Sequence, residues 1–367
     1  MIPYLFTFAA TLLFTFIAQY YFNKNLKGKG RLFSVVAILI PCVLAGIRAE
    51  SVGIDVQVYA KPEFLTASHS SSFFQYLSYS ACEPLYSLLV FFCAKVSDSI
   101  SILLFATQLL TILPVYLCAY IQRKKTSMTM TMMAYLFIYY NLSLSIMRQS
   151  VSMAIVLLVF TLYLSEHRFS KKMIPLIVTA GLFHYFAFLI VAVLFAIEVS
   201  ISSRRSTLQK GLIIVVIMYV MVNIRYFTAL FANLFPEVFG KYASTLNRIN
   251  YSGFSFTDTV MKFVFLVLCI LPKYRVSKDD KKIIEKYTYM VILGFVFQLT
   301  SYISEYLLRI SYYFQFFMIL PLGSIEKAFS RKDKYVVCIG TAIYTLIYWY
   351  IVYISWNWHG TYPYLLK

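Results

Sequence analysis

Long apolar runs separated by short polar and basic segments dominate the chain. About 20 apolar residues in one helix span the hydrocarbon core of a bilayer. Runs that reach or approach this length predict ten crossings, at 2–22, 32–48, 99–121, 128–145, 148–165, 211–224, 259–274, 287–304, 306–327 and 335–354. Three pieces, 83–97, 173–183 and 185–200, are shorter. We therefore expect one all-α polytopic membrane domain over residues 1–367, with about 10–13 transmembrane or half-membrane helices.

Composition supports this class. Of the 367 residues, 60% are hydrophobic and 13% charged, and the mean hydropathy is +0.73, so a membrane protein is indicated. The formal charge of +18 comes without a basic helix or a nucleic-acid-binding signature, which excludes nucleic acid as a partner. The six cysteines have no paired spacing, so neither disulfides nor a zinc site are expected.

Basic loops predict the orientation of the chain. Most Lys and Arg residues lie in "NKNLKGKGR", "QRKK", "HRFSKK", "RRSTLQK", "KYRVSKDDKKIIEK" and "KAFSRKDK". The positive-inside rule assigns all six segments to the cytoplasm. This requires that 83–97 is re-entrant or interfacial, and that 173–200 returns as a hairpin around His184, with both chain ends outside. If 83–97 crosses fully, "QRKK" would lie outside instead.

With this orientation, the remaining ionisable residues collect on the outer side. The external loops 49–82 and 225–258 are expected to shape an active-site face there. The ionisable residues of this face are Arg48, Asp55, Glu83, Arg148, His184, Arg225, Arg248, Asp258, Glu305, Arg309 and His359. Such a one-sided concentration is typical of a site for a charged substrate that arrives from the bilayer.

The stretch "YYNLSLSIMRQS" contains the most informative of these charges. An arginine at membrane depth costs at least about 2.5 kcal/mol, which makes Arg148 a candidate for function. Asn141, Ser145, Arg148 and Ser152 follow one another at helical spacing and predict one polar face. The guanidinium fork suits phosphate. The alternative is an arginine that snorkels from a helix end.

Two acidic residues are candidates for a role in chemistry. Asp55, in "AGIRAESVGIDVQVYAKPEF", is predicted to be a general base, or else to form an ion pair with Arg48 that braces the loop. Tyr59 falls near the same surface. Glu83, in "ACEPLYSLL", is either a second candidate base or a helix-capping carboxylate.

The later segments offer three further elements. "GLFHYFAF" places His184 at the bend of the predicted hairpin, where a catalytic histidine or a hydrogen-bonded core histidine would fit. "ISEYLLRISYYFQFF" carries Glu305 and Arg309 at i and i+4, a spacing that also allows an intrahelical ion pair. The aromatic tail "SWNWHGTYPYLLK" is expected to anchor at the membrane interface.

Several catalytic motifs are missing from the sequence. It has no phosphate-binding G-x-x-x-x-G-K-[ST] loop, no G-x-S-x-G, no H-E-x-x-H and no D-x-D. Nucleotide use, serine hydrolysis and zinc chemistry therefore lack support. The energy for any reaction must enter with the substrate, and we expect neither a metal nor a cofactor.

The ordered set "R…VGIDVQVY", "EPLY", "NLSLSIMRQS", "LFHYFAF", "RISYYF" and "YPY" resembles the EpsG/Wzy group of bacterial polysaccharide polymerases, from about Arg48 to Tyr364. The resemblance implies a GT-C-like helix bundle in the cytoplasmic membrane. Its substrates, donor and acceptor, would be oligosaccharides linked to undecaprenyl pyrophosphate, polymerised on the external face. A chain-length regulator protein is a further implied partner.

This resemblance also implies roles for residues. Arg148 and Arg309, with Arg48, would neutralise the donor pyrophosphate as it leaves. The same set of substrate-binding residues includes Gln149, Tyr59 and Tyr312. One of Asp55, Glu83 or His184 would accept the proton of the acceptor hydroxyl, and His184 is favoured because the ordinary pKa of histidine lies near neutrality.

Three other function classes remain open. A flippase or exporter of lipid-linked oligosaccharide would also place arginines inside a bundle, although the sequence has no pair of related halves. An O-antigen ligase would use the same donor chemistry and differ only in its product. A structural subunit of an envelope machine would tolerate single replacements of Arg148 or His184.

Overall fold

A computed structural model describes residues 1–202, 255–301 and 305–366, together with isolated positions between 212 and 236. The described chain is helical. Its first part contains α1 Ile2–Asn23, α2 Lys27–Ile47, α3 Lys61–His69, α4 Phe73–Tyr79, α5 Pro84–Val96, α6 Ser101–Ile121, α7 Met128–Ala134, α8 Tyr140–Ser145, α9 Met147–Glu166, α10 Met173–Phe183 and α11 Phe186–Ser202. Its second part contains α12 Phe256–Ile270, α13 Lys278–Leu299, α14 Glu305–Gln315, α15 Ile319–Ala328 and α16 Arg331–Trp349.

Within the described ranges, five helices are long and apolar enough to cross a membrane. They cover Ile2–Asn23, Lys27–Ile47, Ser101–Ile121, Met147–Glu166 and Lys332–Ser355. This finding confirms the predicted class, an all-α polytopic membrane protein.

The spanning helices differ in their surroundings. In α9, 83% of the most apolar stretch is buried inside the protein, against 39% in α1. Most exposed side chains of α1 are large and apolar, and they include Ile2, Phe6 and Phe16. A face of this kind suits contact with lipid. α9 is therefore central and α1 peripheral.

Other predicted crossings are interrupted. The run 128–145 forms α7 and α8 with a π-helical turn, Tyr135–Tyr139, between them. The run 306–327 is divided between α14 and α15 by the 3-10 turn Phe316–Met318. Most of the run 211–224 lies outside the described residues.

The three short pieces form separate helices. α5 has 13 residues, which gives a length of about 20 Å, less than the roughly 30 Å of a bilayer core. This length agrees with a re-entrant or interfacial helix. The segment 173–200 breaks at His184, between α10 and α11, as the hairpin interpretation requires.

Three of the described basic loops meet at one end of the bundle, which we call the basic end. Arg123 lies 4.0 Å over the Tyr120 ring, and Tyr120 packs against Phe22 at the C-terminal end of α1. Lys125 forms an ion pair with Asp280 at 3.5 Å. The loops after α1, after α6 and before α13 therefore share one side.

The opposite end brings the first and last segments together. The Tyr4 hydroxyl donates to the Thr361 carbonyl at 2.7 Å, and the Ala49 N–H donates to the Leu365 carbonyl at 2.8 Å. The Tyr364 hydroxyl donates to the Leu44 carbonyl at 2.6 Å. The tail around Tyr364 therefore docks into the bundle, whereas Trp356 is 40% exposed.

Candidate functional site

Arg148 lies in the first turn of α9, at the end of the bundle opposite the basic loops. The helix begins after Ile146, whose φ of −82° and ψ of 60° interrupt the chain between α8 and α9. The break separates two of the predicted polar-face residues. Asn141 bonds Thr361 in the tail, whereas Ser152 bonds the Ala180 carbonyl of α10. A single polar face is therefore not formed.

The Arg148 side chain is bound to Glu83. Its Nη1 lies 2.5 Å from the Glu83 Oε2, and the two side chains are only 20% and 7% exposed. The Glu83 side chain makes no capping hydrogen bond to α5, so its carboxylate is the counter-ion of Arg148. The guanidinium also lies over the rings of Tyr59 at 5.2 Å and Tyr86 at 5.8 Å. Arg148 therefore faces the protein, not lipid.

His184 ends a hydrogen-bond chain whose direction can be assigned. The Ser152 hydroxyl donates to the Ala180 carbonyl at 2.9 Å, so its proton is already used. Tyr313 must therefore donate its own hydroxyl proton to the Ser152 oxygen, 3.0 Å away. It follows that Tyr313 accepts from His184 Nδ1–H across the 3.1 Å contact. This arrangement leaves the lone pair of neutral His184 on Nε2.

Arg309 completes a group around His184. The charges of Arg148 and Arg309 both act electrostatically on the His184 ring. The Gln149 amide donates to the Arg309 carbonyl at 2.7 Å and ties α14 to the first turn of α9. The Gln149 hydrogen bond therefore joins the backbone of Arg309 to the turn that carries Arg148. The Glu305 side chain lies outside the described residues.

The loop before α3 carries Asp55 and Tyr59 to this site. Gly53 adopts φ of +98°, and an added Cβ would lie 2.5 Å from the Leu144 carbonyl oxygen. Its N–H donates to the Gly360 carbonyl at 2.8 Å. The loop therefore rests directly on the α8–α9 break. Asp55 acts electrostatically on Tyr86, a neighbour of Arg148. Tyr59 belongs to the π-helical turn Val56–Ala60.

Arg48 lies beneath this group. Its side chain is buried, with 1% exposed, and its Nη2 contacts the Met147 sulfur at 3.4 Å. The phenols of Tyr4, Tyr140 and Tyr364 lie within electrostatic range of its charge. The described hydrogen bond thus links Arg48 to the residue that precedes Arg148. Two other predicted outer-face arginines, Arg225 and Arg248, lie outside the described residues.

A second polar cluster adjoins the first. Lys262 and Asp258 form a buried ion pair at 2.9 Å, and Lys262 lies 5.2 Å over the Tyr312 ring. Arg309 and Lys262 both act electrostatically on His359. Sequence reasoning missed Lys262. The sequence does contain a signal for Lys262, because it follows Asp258 by four residues inside an apolar run, where a pair of opposite charges is unusual.

The sequence also gave no reason to select Tyr313 or Tyr86. Both are fully buried aromatic residues, in a chain with 32 Tyr and 33 Phe. Their importance depends on contacts with residues far away in the chain, His184 and Arg148. Only the folded arrangement distinguishes them from packing residues.

These features define a polytopic membrane protein with a charged, tyrosine-lined site at one end of its helix bundle. The model of the EpsG family matches residues 31–366, and the chain therefore belongs to the EpsG family. EpsG is a family of Wzy-type polysaccharide polymerases. Comparison with curated proteins finds no match, and comparison with solved structures finds none either.

Proposed function

We propose that the protein is a GT-C-like glycosyltransferase that polymerises a polysaccharide on the external face of the cytoplasmic membrane. The growing glycan leaves undecaprenyl pyrophosphate and joins the terminal hydroxyl of a lipid-linked repeat unit. Membership of the EpsG family supports the polymerase class. The positive-inside rule supports the external face, because the basic loops after α1, after α6 and before α13 gather at the end opposite the site.

The reaction needs two kinds of group. The bond between the anomeric carbon of the donor and its pyrophosphate oxygen breaks, and the acceptor hydroxyl oxygen forms the new glycosidic bond. The pyrophosphate takes the electron pair and stays on its lipid, so cations must face it. The acceptor hydroxyl loses a proton, so a base must lie nearby.

Arg148 and Arg309 bind the pyrophosphate in this proposal. Their charges converge on one place, His184, and a buried guanidinium is a strong donor to phosphate oxygens. Glu83 holds Arg148 in position as its counter-ion. Tyr59 covers the same guanidinium, and Gln149 fixes the backbone at Arg309.

His184 is the base in this proposal. The observation that carries the assignment is the chain from His184 through Tyr313 and Ser152 to the Ala180 carbonyl. It leaves Nε2 as the acceptor, without a hydrogen bond to any described residue. Glu83 is engaged with Arg148. Asp55 remains the alternative base, and Arg48 supports the backbone before Arg148 through Met147.

Purified protein with synthetic undecaprenyl-pyrophosphate-linked repeat units tests the proposal. Wild-type protein should lengthen the glycan, and Arg148→Ala should lower the rate by roughly 10²–10³-fold, as loss of a leaving-group donor does. Arg168→Ala, at an exposed position near the basic end, is the matched control. Near wild-type turnover in a folded Arg148→Ala protein removes the pyrophosphate role.

The same assay distinguishes the competing classes and the base. Translocation of the lipid without chain growth would identify a flippase, and transfer of a finished glycan to another lipid would identify a ligase. His184→Ala should remove the acid limb of the pH–rate profile. If this limb is unchanged, the base is a carboxylate, with Asp55 the first to replace.

A further inference from the structure

Both ends of α5 lie at the end of the bundle that carries Arg148. The helix begins directly after Glu83, whose carboxylate is bound to Arg148. It is followed by α6, which ends beside Arg123 in a loop of the basic end. α6 has 21 residues, which gives about 31 Å, enough to cross a bilayer core of roughly 30 Å. Its first residue, Ser101, therefore lies back at the end that carries Arg148, after a link of four residues, 97–100.

The link between α5 and α6 is polar. It contains Ser97, Asp98 and Ser99, and Asp98 is exposed. A re-entrant α5 of 13 residues would carry this link about 20 Å below the membrane surface. An aspartate in the hydrocarbon core costs at least about 2.5 kcal/mol, so the link lies at the surface. Because both of its ends are at the surface, α5 runs along the plane of the membrane.

The two faces of α5 have different surroundings. Its inner face, which includes Tyr86, is buried where the helix packs on α3, α6 and α10. The opposite face includes Phe92, which is 59% exposed, and Val96, which is 72% exposed. The half-buried Leu85 and Leu88 precede them at helical spacing on the same face. α5 therefore presents a row of apolar side chains away from the bundle.

α4 extends this apolar surface. Its Phe74 is 80% exposed, and the Phe74 ring lies 5.8 Å from the Phe73 ring. The Phe73 ring in turn lies 5.7 Å from the Phe91 ring of α5, and the Phe91 ring lies 6.4 Å from the Phe92 ring. The aromatic rings thus form one row from α4 to α5. We call the outward apolar side chains of the two helices the leaflet face: Phe74, Leu85, Leu88, Phe92 and Val96.

Hydrogen bonds inside the unit hold this surface in place. The amine of Lys95, the single basic residue of α5, donates to the Ser70 carbonyl at 2.7 Å, at the end of α3. Glu63 of α3 accepts from the Tyr76 hydroxyl at 2.5 Å and from the Ala81 N–H at 3.0 Å. These bonds fix α4 and α5 to α3. The leaflet face is therefore a fixed surface, and the cation of α5 is engaged with backbone carbonyls.

We propose that the leaflet face is inserted among the acyl chains of the outer leaflet of the bilayer. The spanning helices place the protein in a membrane, and α5 runs along its surface, where lipid is the neighbour that an uncharged aromatic face meets. α4 and α5 then hold Glu83, and through it Arg148, at the depth of the lipid phosphates. An anion carried on a lipid reaches Arg148 by lateral diffusion in the same leaflet. This inference uses the orientation predicted by the basic loops and no step of the proposed reaction.

Quenching of tryptophan emission tests the insertion without substrate. Phe74→Trp and Phe92→Trp each add one indole to the three native tryptophans, and the difference from wild type isolates its emission. Proteoliposomes contain either brominated phosphatidylcholine, whose acyl chains quench an indole on contact, or plain lipid with acrylamide, which quenches from water. Both added indoles should lose most of their emission to the brominated lipid and little to acrylamide. Thr66→Trp, at an exposed position of α3, is the matched control and should show the reverse.

Val96→Asp provides a second test, because a carboxylate is expelled from the acyl chains. Combined with Phe92→Trp, it should reduce the quenching of the added indole by brominated lipid and increase the quenching by acrylamide. Thr66→Asp in the same background should change neither.

The outcomes distinguish this inference from the proposed function. If Phe74→Trp and Phe92→Trp show no more quenching by brominated lipid, relative to acrylamide, than Thr66→Trp, the insertion is overturned. Protection from both quenchers together with a crosslinked dimer would identify a second copy of the chain as the occupant, which overturns it as well. Neither result bears on the polymerase proposal, which glycan lengthening decides. Lipid quenching in a protein that lengthens no glycan keeps the inserted face and removes the polymerase.

Discussion

Arg148 and Glu83 are 65 positions apart in the chain, yet the Arg148 Nη1 lies 2.5 Å from the Glu83 Oε2. Among the described ion pairs, Arg148 pairs only with Glu83, and Glu83 pairs only with Arg148. The pair therefore ties α5 to the first turn of α9. It also means that the two residues must be studied together.

Glu83→Gln should destabilise the folded protein by on the order of 3 kcal/mol, because it leaves a mostly buried guanidinium uncompensated. The double variant with Arg148→Met should recover part of this loss. Unfolding in detergent micelles measures both. Lys172→Met, which breaks the exposed pair with Glu166, should cost less than about 1 kcal/mol. Equal losses from the two pairs would contradict this account.

Arg148→Lys should keep the charge of the site but lose the planar fork of donors. We expect chain elongation that is intermediate between wild type and Arg148→Ala, measured as the initial rate of glycan lengthening. A lysine variant as active as wild type would show that only charge is needed and that bidentate contact with the diphosphate is not.

Tyr313→Phe should lower the elongation rate about tenfold and move the acid limb of the pH–rate profile to lower pH. The reason is that Tyr313 accepts from His184 Nδ1–H, a bond that is stronger when the ring is protonated. Ser152→Ala should act in the same direction but less. A purely structural effect would lower the rate at every pH and leave the limb in place.

Gly53→Ala should destabilise the protein by about 1–3 kcal/mol and reduce activity. Its φ is +98°, and the new Cβ would lie 2.5 Å from the Leu144 carbonyl oxygen, so the loop that carries Asp55 and Tyr59 must shift. Gly340→Ala is the control, because that helical position has open space around it. It should be neutral or stabilise by up to about 1 kcal/mol. Thermal unfolding in detergent compares the two.

Reporter fusions test the orientation of the site. A phosphatase that is active only outside the cell should be inactive after Lys125, in a basic loop, and active when inserted after Ser71, in the loop before α4 that the positive-inside rule predicts to be external. The reverse pattern would place the site in the cytoplasm and remove the basis for a reaction on the external face.

Sequence reasoning found the elements that length and hydropathy determine. Uninterrupted spans such as α1, α6 and α9 follow directly from apolar runs. The break at Ile146 and the π-helical turns did not emerge, because they depend on tertiary packing and not on local pattern.

Only part of the candidate site could be predicted, because the sequence reveals single charged residues but not their contacts. Arg148, Glu83 and His184 attract notice because charge is expensive within a bundle. The pairing of Arg148 with Glu83 was not predictable, since a single sequence carries no record of which distant charges meet. Tyr313 could not be distinguished from the many other aromatic residues of the sequence, because its importance depends on its contact with His184.

The docking of the tail has a consequence for how the bundle is assembled. The contact from Tyr4 to Thr361 spans 357 positions, and closure of so large a loop is entropically costly and slow. The amino-terminal helices therefore lack this contact until the segment around His359 has been synthesised. The end of the bundle that carries the candidate site is then completed late in biogenesis, after insertion of the intervening helices.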